Sequence, residues 1–345
     1  MTATHYLGFT QALAAYDERA RSAAGDYLAA DDLSDHLRGP AYDYLGRGGK
    51  GLRPALLLAT VEAFGGGMED GVPSAAALEL LHTAFLVHDD VEDDSELRRG
   101  DPTLHRRYGR GLAVNAGDGL AVVALGALRD NDDRLGRRLA ARVWSEFDFM
   151  ARQTVDGQAR ELGWLRDGRT DLTPDDYLDL IMKKTCWYTT VLPLRVGALI
   201  GSRGRADLEP LVRFGFSLGA AFQIRDDVLN LVGSPERYGK EPLGDLREGK
   251  RTLMLIHLLA AADATDRAQV EAWLALAPSE RTPDVAGEML DLMHRHGSIA
   301  FADHFAHGIA GSAAEAFEAA FEGVPPSGAR QFVADLIPFM VDRDR

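Results

Sequence analysis

SAAALELLHTAFLVHDDVEDD runs from Ser74 to Asp94, and its reading decides the fold. From Ala75 to Val87 it has no two-residue alternation and few β-branched side chains, which predicts a helix too apolar for an exposed face. Asp89, Asp90, Asp93 and Asp94 follow at once, with Arg98 and Arg99 close behind. On a helix Asp89 and Asp93 share a face, as do Asp90 and Asp94. Packing these charges together costs energy unless hard cations sit between them. Mg²⁺ takes oxygen ligands and joins one or two carboxylates to substrate phosphates. The plainer alternative is a solvated helix end, with Arg98 and Arg99 as salt-bridge partners of Glu92, Asp94 or Glu96.

Working outward, PALLLATVEAF (54–64), NAGDGLAVVALGAL (115–128) and LIPFMVDR (336–343) are also helical in pattern. TPDDYLDLIMKK (173–184) opens with Thr173 as N-cap, Pro174 at the first helical position and Asp176 as the capping-box acid. Breaks are expected at 45–51, 64–73, 129–134, 165–172, 201–207, 233–250 and 277–283. Ten or more helices and no strand follow: one all-α domain, a single large helical bundle over 1–345 whose most apolar helices lie inside a ring of others. Abundant small residues either let those helices approach closely or leave room for a long apolar ligand. Both uses remain open at this point.

The chain has 345 residues, 38 Lys plus Arg against 53 Asp plus Glu, and a net charge of -15. That balance argues against nucleic acid and anionic membranes as partners. An anionic substrate would need bridging cations or a local basic patch. Cys186 is the one cysteine, so there is no intrachain disulfide and no multi-cysteine metal site. The start lacks a secretion-signal layout, and the apolar run in 115–128 is too short and interrupted to span a bilayer. The expectation is a soluble cytoplasmic protein without a transmembrane segment.

AAFQIRDDVLNLVG (220–233) repeats the design of the opening stretch, an apolar helix ending in Asp226 and Asp227 with Asn230 one turn on. Facing helices so tipped would clamp a diphosphate through shared cations. LGRGGKGLRP (45–54) supplies Lys50 and Arg53 from a glycine-rich turn entering a helix, a setting that favours phosphate. Lys184, Lys240, Lys250, Arg98 and Arg99 complete a basic set. Singly each lysine reads as a surface residue. Together they suggest a metal-bridged diphosphate between the acidic clusters and a metal-free one on Lys50, Arg53 and Arg99.

These segments resemble the polyprenyl synthetase family of trans-type isoprenyl diphosphate synthases, most of all geranylgeranyl diphosphate synthases. The matching motifs are DDVED (89–93), RRG (98–100), DDVLN (226–230), GGKGLRP (48–54), GQ (157–158), KT (184–185), FQIRDD (222–227) and GKEPLGDLREGK (239–250). The match runs from about residue 45, with 1–40 a variable helical part. Gly51 stands where a basic residue is usual, and Asn230 where many relatives have aspartate. The resemblance implies a homodimeric all-α prenyltransferase with a deep central cavity. It implies Asp89, Asp90, Asp93, Asp226, Asp227 and, more weakly, Asn230 as ligands for three Mg²⁺ per substrate-loaded site. Lys184 and Lys240 would contact the allylic diphosphate, with Arg98 aiding them and Lys250 supporting from a closing loop. Lys50, Arg53, His82 and Arg99 would hold isopentenyl diphosphate, and Thr185 and Gln223 would line the reaction centre. His88 and His105 have no such support and read as structural.

The implied reaction is head-to-tail condensation. The allylic diphosphate ionises, isopentenyl diphosphate attacks the cation, and a proton leaves towards the released diphosphate. In the family, the residues just before the first motif face the channel for the growing tail. Phe85 reads as its floor and Ala84 as space beside it, favouring a C20 product over farnesyl or longer ones. A terpene cyclase is the enzymatic rival, but Leu231 and Tyr238 fall where its second metal motif needs Asp and Glu around Asn230 and Ser234. A non-catalytic partner subunit is the other; such subunits usually lose site residues that persist here.

Overall fold

A computed structural model describes residues 3–30, 32–233 and 243–341. Helices dominate, in two compact units of interleaved segments. Unit 1 comprises Met1–Ala151, Tyr188–Gly215 and Ala316–Leu336; unit 2 comprises Arg152–Trp187, Phe216–Glu315 and Ile337–Arg345.

Unit 1 begins with α1 (Ala3–Ala30), α2 (Asp35–Gly46), α3 (Leu52–Ala63) and α4 (Met68–Glu92). The expected inner helix is α4, buried without interruption from Gly71 to Ala84. It packs against α1, α3, α6 (Arg110–Arg129, which follows the short α5, Leu104–Tyr108) and α10 (Leu192–Gly201). Glycines set how close these helices come. A Cβ on Gly197 would stand 2.7 Å from the Leu57 carbonyl, and one on Gly201 would stand 2.3 Å from the Val61 carbonyl. Close approach, rather than spare room, is therefore what these two glycines of α10 provide against α3.

Two expectations are corrected in unit 1. The break assigned to 64–73 ends early, because α4 starts at Met68 and carries Pro73 inside it. A proline there cannot bond the carbonyl four residues back. Arg134 takes that orphan, its Nη1 donating to the Glu69 carbonyl at 2.9 Å. The apolar run at 115–128 also belongs to something longer: α6 and α7 (Asn131–Leu135) form a stretch, Arg110–Leu135, long and apolar enough to cross a membrane by length and composition. One face of α6 is buried through Ala113, Ala116, Leu120, Val123, Ala124 and Ala127, while Val114, Val122 and Leu125 are exposed.

The second half of α8 (Arg137–Arg166) enters unit 2. There follow α9 (Pro174–Ile181), a π-helical segment (Met182–Val191), and, after α10, α11 (Glu209–Val232). Thr173 and Asp176 form the expected capping box, the Asp176 N–H donating to Thr173 Oγ1 at 3.2 Å and the Thr173 N–H to Asp176 Oδ2 at 2.9 Å. Next come α12 (Gly244–Glu248), α13 (Leu253–Ala261), α14 (Ala264–Leu274), α15 (Pro283–Arg295), α16 (Ser298–Ala320) and α17 (Gly328–Val341). The strand content of the described residues is a two-residue pair, β1 (Leu97–Arg98) against β2 (Asp101–Pro102).

Candidate active site

In unit 1 the first acidic motif ends α4, where the Asp93 N–H donates to the Asp89 carbonyl at 2.9 Å. Asp90 is buried and accepts from Arg98 Nε at 2.8 Å, while Arg98 Nη2 lies 3.4 Å from Asp89. Burial opposes the Arg98 charge, but Asp90, Asp89 and Asp93 outweigh it and raise its pKa. The second Asp90 oxygen is buried without a hydrogen-bond partner, an acceptor that a cation would satisfy. Asp94 turns elsewhere, to Arg106 at 3.0 Å and to Arg110. The four acids thus resolve into three at the motif and one tether. Of the two histidines read as structural, His105 is buried with Nε2 3.5 Å from Asp94, and His88 lies 3.3 Å from the Val114 carbonyl over Gly117.

The RRG turn has a backbone reason. Leu97 pairs with Pro102 and Arg98 with Asp101, leaving Arg99 and Gly100 as a two-residue turn with φ of 57° and 83°. Positive φ at both positions is the type I′ hairpin geometry. An arginine held there costs on the order of 1 kcal/mol, and such outliers gather at functional sites. Arg47 secures the hairpin, donating Nη2 to the Pro102 carbonyl at 2.8 Å.

Arg99 ends over the glycine turn, its Nη2 2.5 Å from where a Gly49 Cβ would sit. Lys50 is exposed on that turn. Arg53 donates to the Tyr188 hydroxyl at 3.1 Å and lies 3.3 Å from His82 Nε2, its guanidinium carbon 4.5 Å from the Tyr188 ring centre. Among the described residues neither Arg53 nor Arg99 forms an ion pair. Burial, then Arg53, Arg99, Arg98 and Arg21, hold the His82 pKa well below its usual value, so the imidazole is neutral. Burial likewise pushes Arg99 down to about 10. Two guanidiniums and a neutral imidazole thus lie close together in unit 1. Phe85 meets the Tyr188 ring edge-on at 5.8 Å, and Ala84 is buried beside it in sequence.

In unit 2 the second motif ends α11. Asp227 is buried and accepts from Tyr177 Oη and Gln223 Nε2, each at 2.7 Å. Burial first, then the neighbouring Asp245, push its pKa up. Asp226 is half-buried. Asn230 is buried, and its side-chain oxygen accepts the Asp245 N–H at 3.1 Å, joining α11 to α12. Lys250 lies 2.7 Å from Glu248 and 3.8 Å from Asp245. Lys184 pairs with Glu161 of α8, and Thr185 next to it is buried. Gly157, from the GQ pair, permits this: its Cβ would stand 2.4 Å from the Lys184 backbone nitrogen. Lys240, Ser234 and Tyr238 lie outside the described residues.

Sequence reading missed the contact of Tyr188 with Arg53, and missed Tyr177, Glu161 and Asp245 as site residues. Glu161, one turn beyond Gly157 on the same helix, and Asp245, inside GKEPLGDLREGK, each had a signal. As to metal, no three His, Cys, Asp or Glu side chains among the described residues form a self-sufficient site. In unit 1 the hard carboxylates Asp89 and Asp93, with the orphan Asp90 oxygen, suit a cation completed by phosphate and water, the usual habit of Mg²⁺.

The sequence model of the Polyprenyl synthetase family matches residues 34–319, starting before and ending short of the stretch from about 45 onward that the motifs suggest. A short chain isoprenyl diphosphate synthase of Methanothermobacter thermautotrophicus is 32% identical over 331 residues, 95% of either chain. The crystal structure of a geranylgeranyl pyrophosphate synthetase from Pyrococcus horikoshii is similar with a TM-score of 0.86 at 30% identity, covering 98% of this chain and 99% of that one. A Caulobacter crescentus polyprenyl synthase, solved with calcium and isoprenyl diphosphate, gives 0.84 at 27%, covering 97% and 98%. Other relatives bear the names farnesyl, geranylgeranyl and geranylfarnesyl diphosphate synthase. Motifs, all-helical fold and relatives agree: this chain belongs to the polyprenyl synthetase family and is a prenyltransferase, an isoprenyl diphosphate synthase.

Proposed function

We propose that the chain condenses isopentenyl diphosphate head to tail with allylic diphosphates and stops at geranylgeranyl diphosphate, C20. The observation that carries the reading is the pocket of Arg53, Arg99 and neutral His82, rich in cations, in the same unit as the acidic motif. A cyclase has no use for a second anion pocket. In this reading Lys50, Arg53, His82 and Arg99 hold isopentenyl diphosphate. Asp89, Asp93 and Asp226, with Asp90 and Asp227 behind them, would hold three Mg²⁺ that bind the allylic diphosphate. Bound Mg²⁺ supplies neutralisation of the charge that develops on that leaving group.

Lys184, released from Glu161, and Lys240 stabilise the same diphosphate, with Arg98 fixing Asp89 and Asp90 and Lys250 supporting. The allylic C1–O bond breaks and its electrons leave with the diphosphate. The C4 carbon of isopentenyl diphosphate bonds to C1, and the proton at C2 passes to the released diphosphate. Thr185 and Gln223 line this centre, and apolar walls keep water from the cation. Asn230 serves by holding α12, and would be a weaker or water-mediated participant in metal binding. The tail runs past Ala84 to a floor made by Phe85 braced on Tyr188.

Both units act as one domain in this proposal. The active form is a homodimer through the apolar face exposed on α6 and the first half of α8, including Val114, Val122, Leu125 and Trp144. Its water-soluble substrates suit the cytoplasm. Chromatography of products from purified chain, Mg²⁺, isopentenyl diphosphate and the C5, C10 and C15 allylic diphosphates tests the reaction. Accumulated C20 diphosphate is expected; a cyclised hydrocarbon would favour a cyclase, and no turnover without a partner a non-catalytic subunit.

A further inference from the structure

The glycine turn is clasped from α1, outside the motifs. Asp17 and Arg21 lie one helical turn apart. Arg21 donates Nε to both Asp17 oxygens at 3.0 Å and Nη1 to the Leu45 carbonyl at 3.2 Å, and its Nη2 stands 3.2 Å from Glu79 Oε1. Two glycines make this possible. A Cβ on Gly51, at φ 61°, would stand 2.2 Å from Asp17 Cγ, and one on Gly49 would meet Arg99 Nη2 at 2.5 Å and Arg21 Nη2 at 3.2 Å. Two guanidinium ends therefore share the space over one glycine. Glu79 is 3% exposed in the apolar middle of α4, three residues before His82. Burial raises its pKa, and the charges of Arg21, Arg53 and Arg99 oppose that rise.

A carboxylate buried among apolar neighbours is costly unless paired, and a pair of hydrophobic residues would stabilise the fold at least as well. Its place against Arg21, within the field of Arg53 and Arg99, gives it another use. We infer that Arg21, anchored by Asp17 and Glu79, is a positioning residue of the isopentenyl diphosphate pocket: it fixes the glycine turn and the Arg99 guanidinium in the diphosphate-binding arrangement without touching the reacting atoms. The inference rests on the reaction proposed above. Like charges that would otherwise splay apart are held converged before substrate arrives, and that preorganisation appears as affinity.

Steady-state kinetics of the full chain and its R21A, E79Q and R21A/E79Q variants test this, with thermal midpoints measured alongside. R21A is expected to raise KM for isopentenyl diphosphate about tenfold, the loss of one charge-assisted contact, while KM for the allylic substrate stays within about twofold. R21A also strands Glu79, so its midpoint falls. In the double variant the buried Glu79 charge is gone, while Asp17 still lacks its arginine: the midpoint recovers in part, and KM for isopentenyl diphosphate stays high. Recovery of that KM along with the midpoint, a parallel rise in both KM values, or no change in either would overturn the inference. If the unaltered chain makes no product, the reaction reading fails separately. Calorimetric titration with inorganic pyrophosphate, without metal, then still reads the pocket: weakening by R21A of about tenfold supports the inference, and unchanged binding overturns it.

Discussion

His82 is an imidazole kept neutral by burial and by four arginines. The unfolded chain takes up a proton there near pH 6.5, and the folded chain refuses it. Stability from this residue is therefore complete above pH 6.5 and is lost as pH falls towards the depressed folded value, by about 1.4 kcal/mol per pH unit. Urea unfolding at pH 7.5 and 5.5 checks this. His82→Gln is expected to lose about 1 kcal/mol less than the unaltered chain across that interval; equal losses would contradict it. Asn230 makes a second case. It is buried beside Asp227 and accepts from Asp245, so Asn230→Asp would keep the acceptor and add a like charge. The variant is expected to melt lower without Mg²⁺ and diphosphate and to recover much of the difference with both; an unchanged metal-free midpoint would contradict this. The charged residues were legible in sequence because charge crowding is conspicuous. Tyr188, Glu79 and Arg21 were not, since each is unremarkable until a helix distant in sequence sits against it.

Among the elements, the short cap at Thr173 and the ends of α4 and α11 follow from local chemistry, and they were readable. The π-helical turn of 182–191 was not, because its residues fit an ordinary helix equally well. Nor was the start of α4. Gly71 and Pro73 signal a break, and that signal is overridden by Arg134, far along the chain, which bonds the orphan Glu69 carbonyl. Gly157 shows how an element positions a site residue. Gly157→Ala would place a methyl group 2.4 Å from backbone nitrogen that cannot swing away. The cost is expected at about 1–3 kcal/mol, with turnover falling as Lys184 shifts. A thermal midpoint and kcat both unchanged would contradict the close packing.

At the scale of the whole molecule, the proposed reaction asks an all-α chain with a net charge of -15 to bind diphosphate, and the Arg21 and Arg99 guanidiniums that converge on Gly49 offer a local exception to that charge. The motifs made the fold class and the family legible. Interleaving of the units was not legible, since it arises from contacts between segments far apart in the chain. Nor was the exposure of Val122, 64% solvent-accessible on a helix otherwise apolar and buried on its inner face. Val122→Asp is expected to shift sedimentation from dimer to monomer mass; a monomeric unaltered chain would contradict the proposed interface. The most direct test of the central claim is a crystal structure with Mg²⁺ and a non-hydrolysable allylic thiolodiphosphate. One diphosphate bridged by metal to Asp89 and Asp93 on one side and to Asp226 on the other is the expected result. Acidic motifs that hold metal separately, with no diphosphate shared between them, would contradict it.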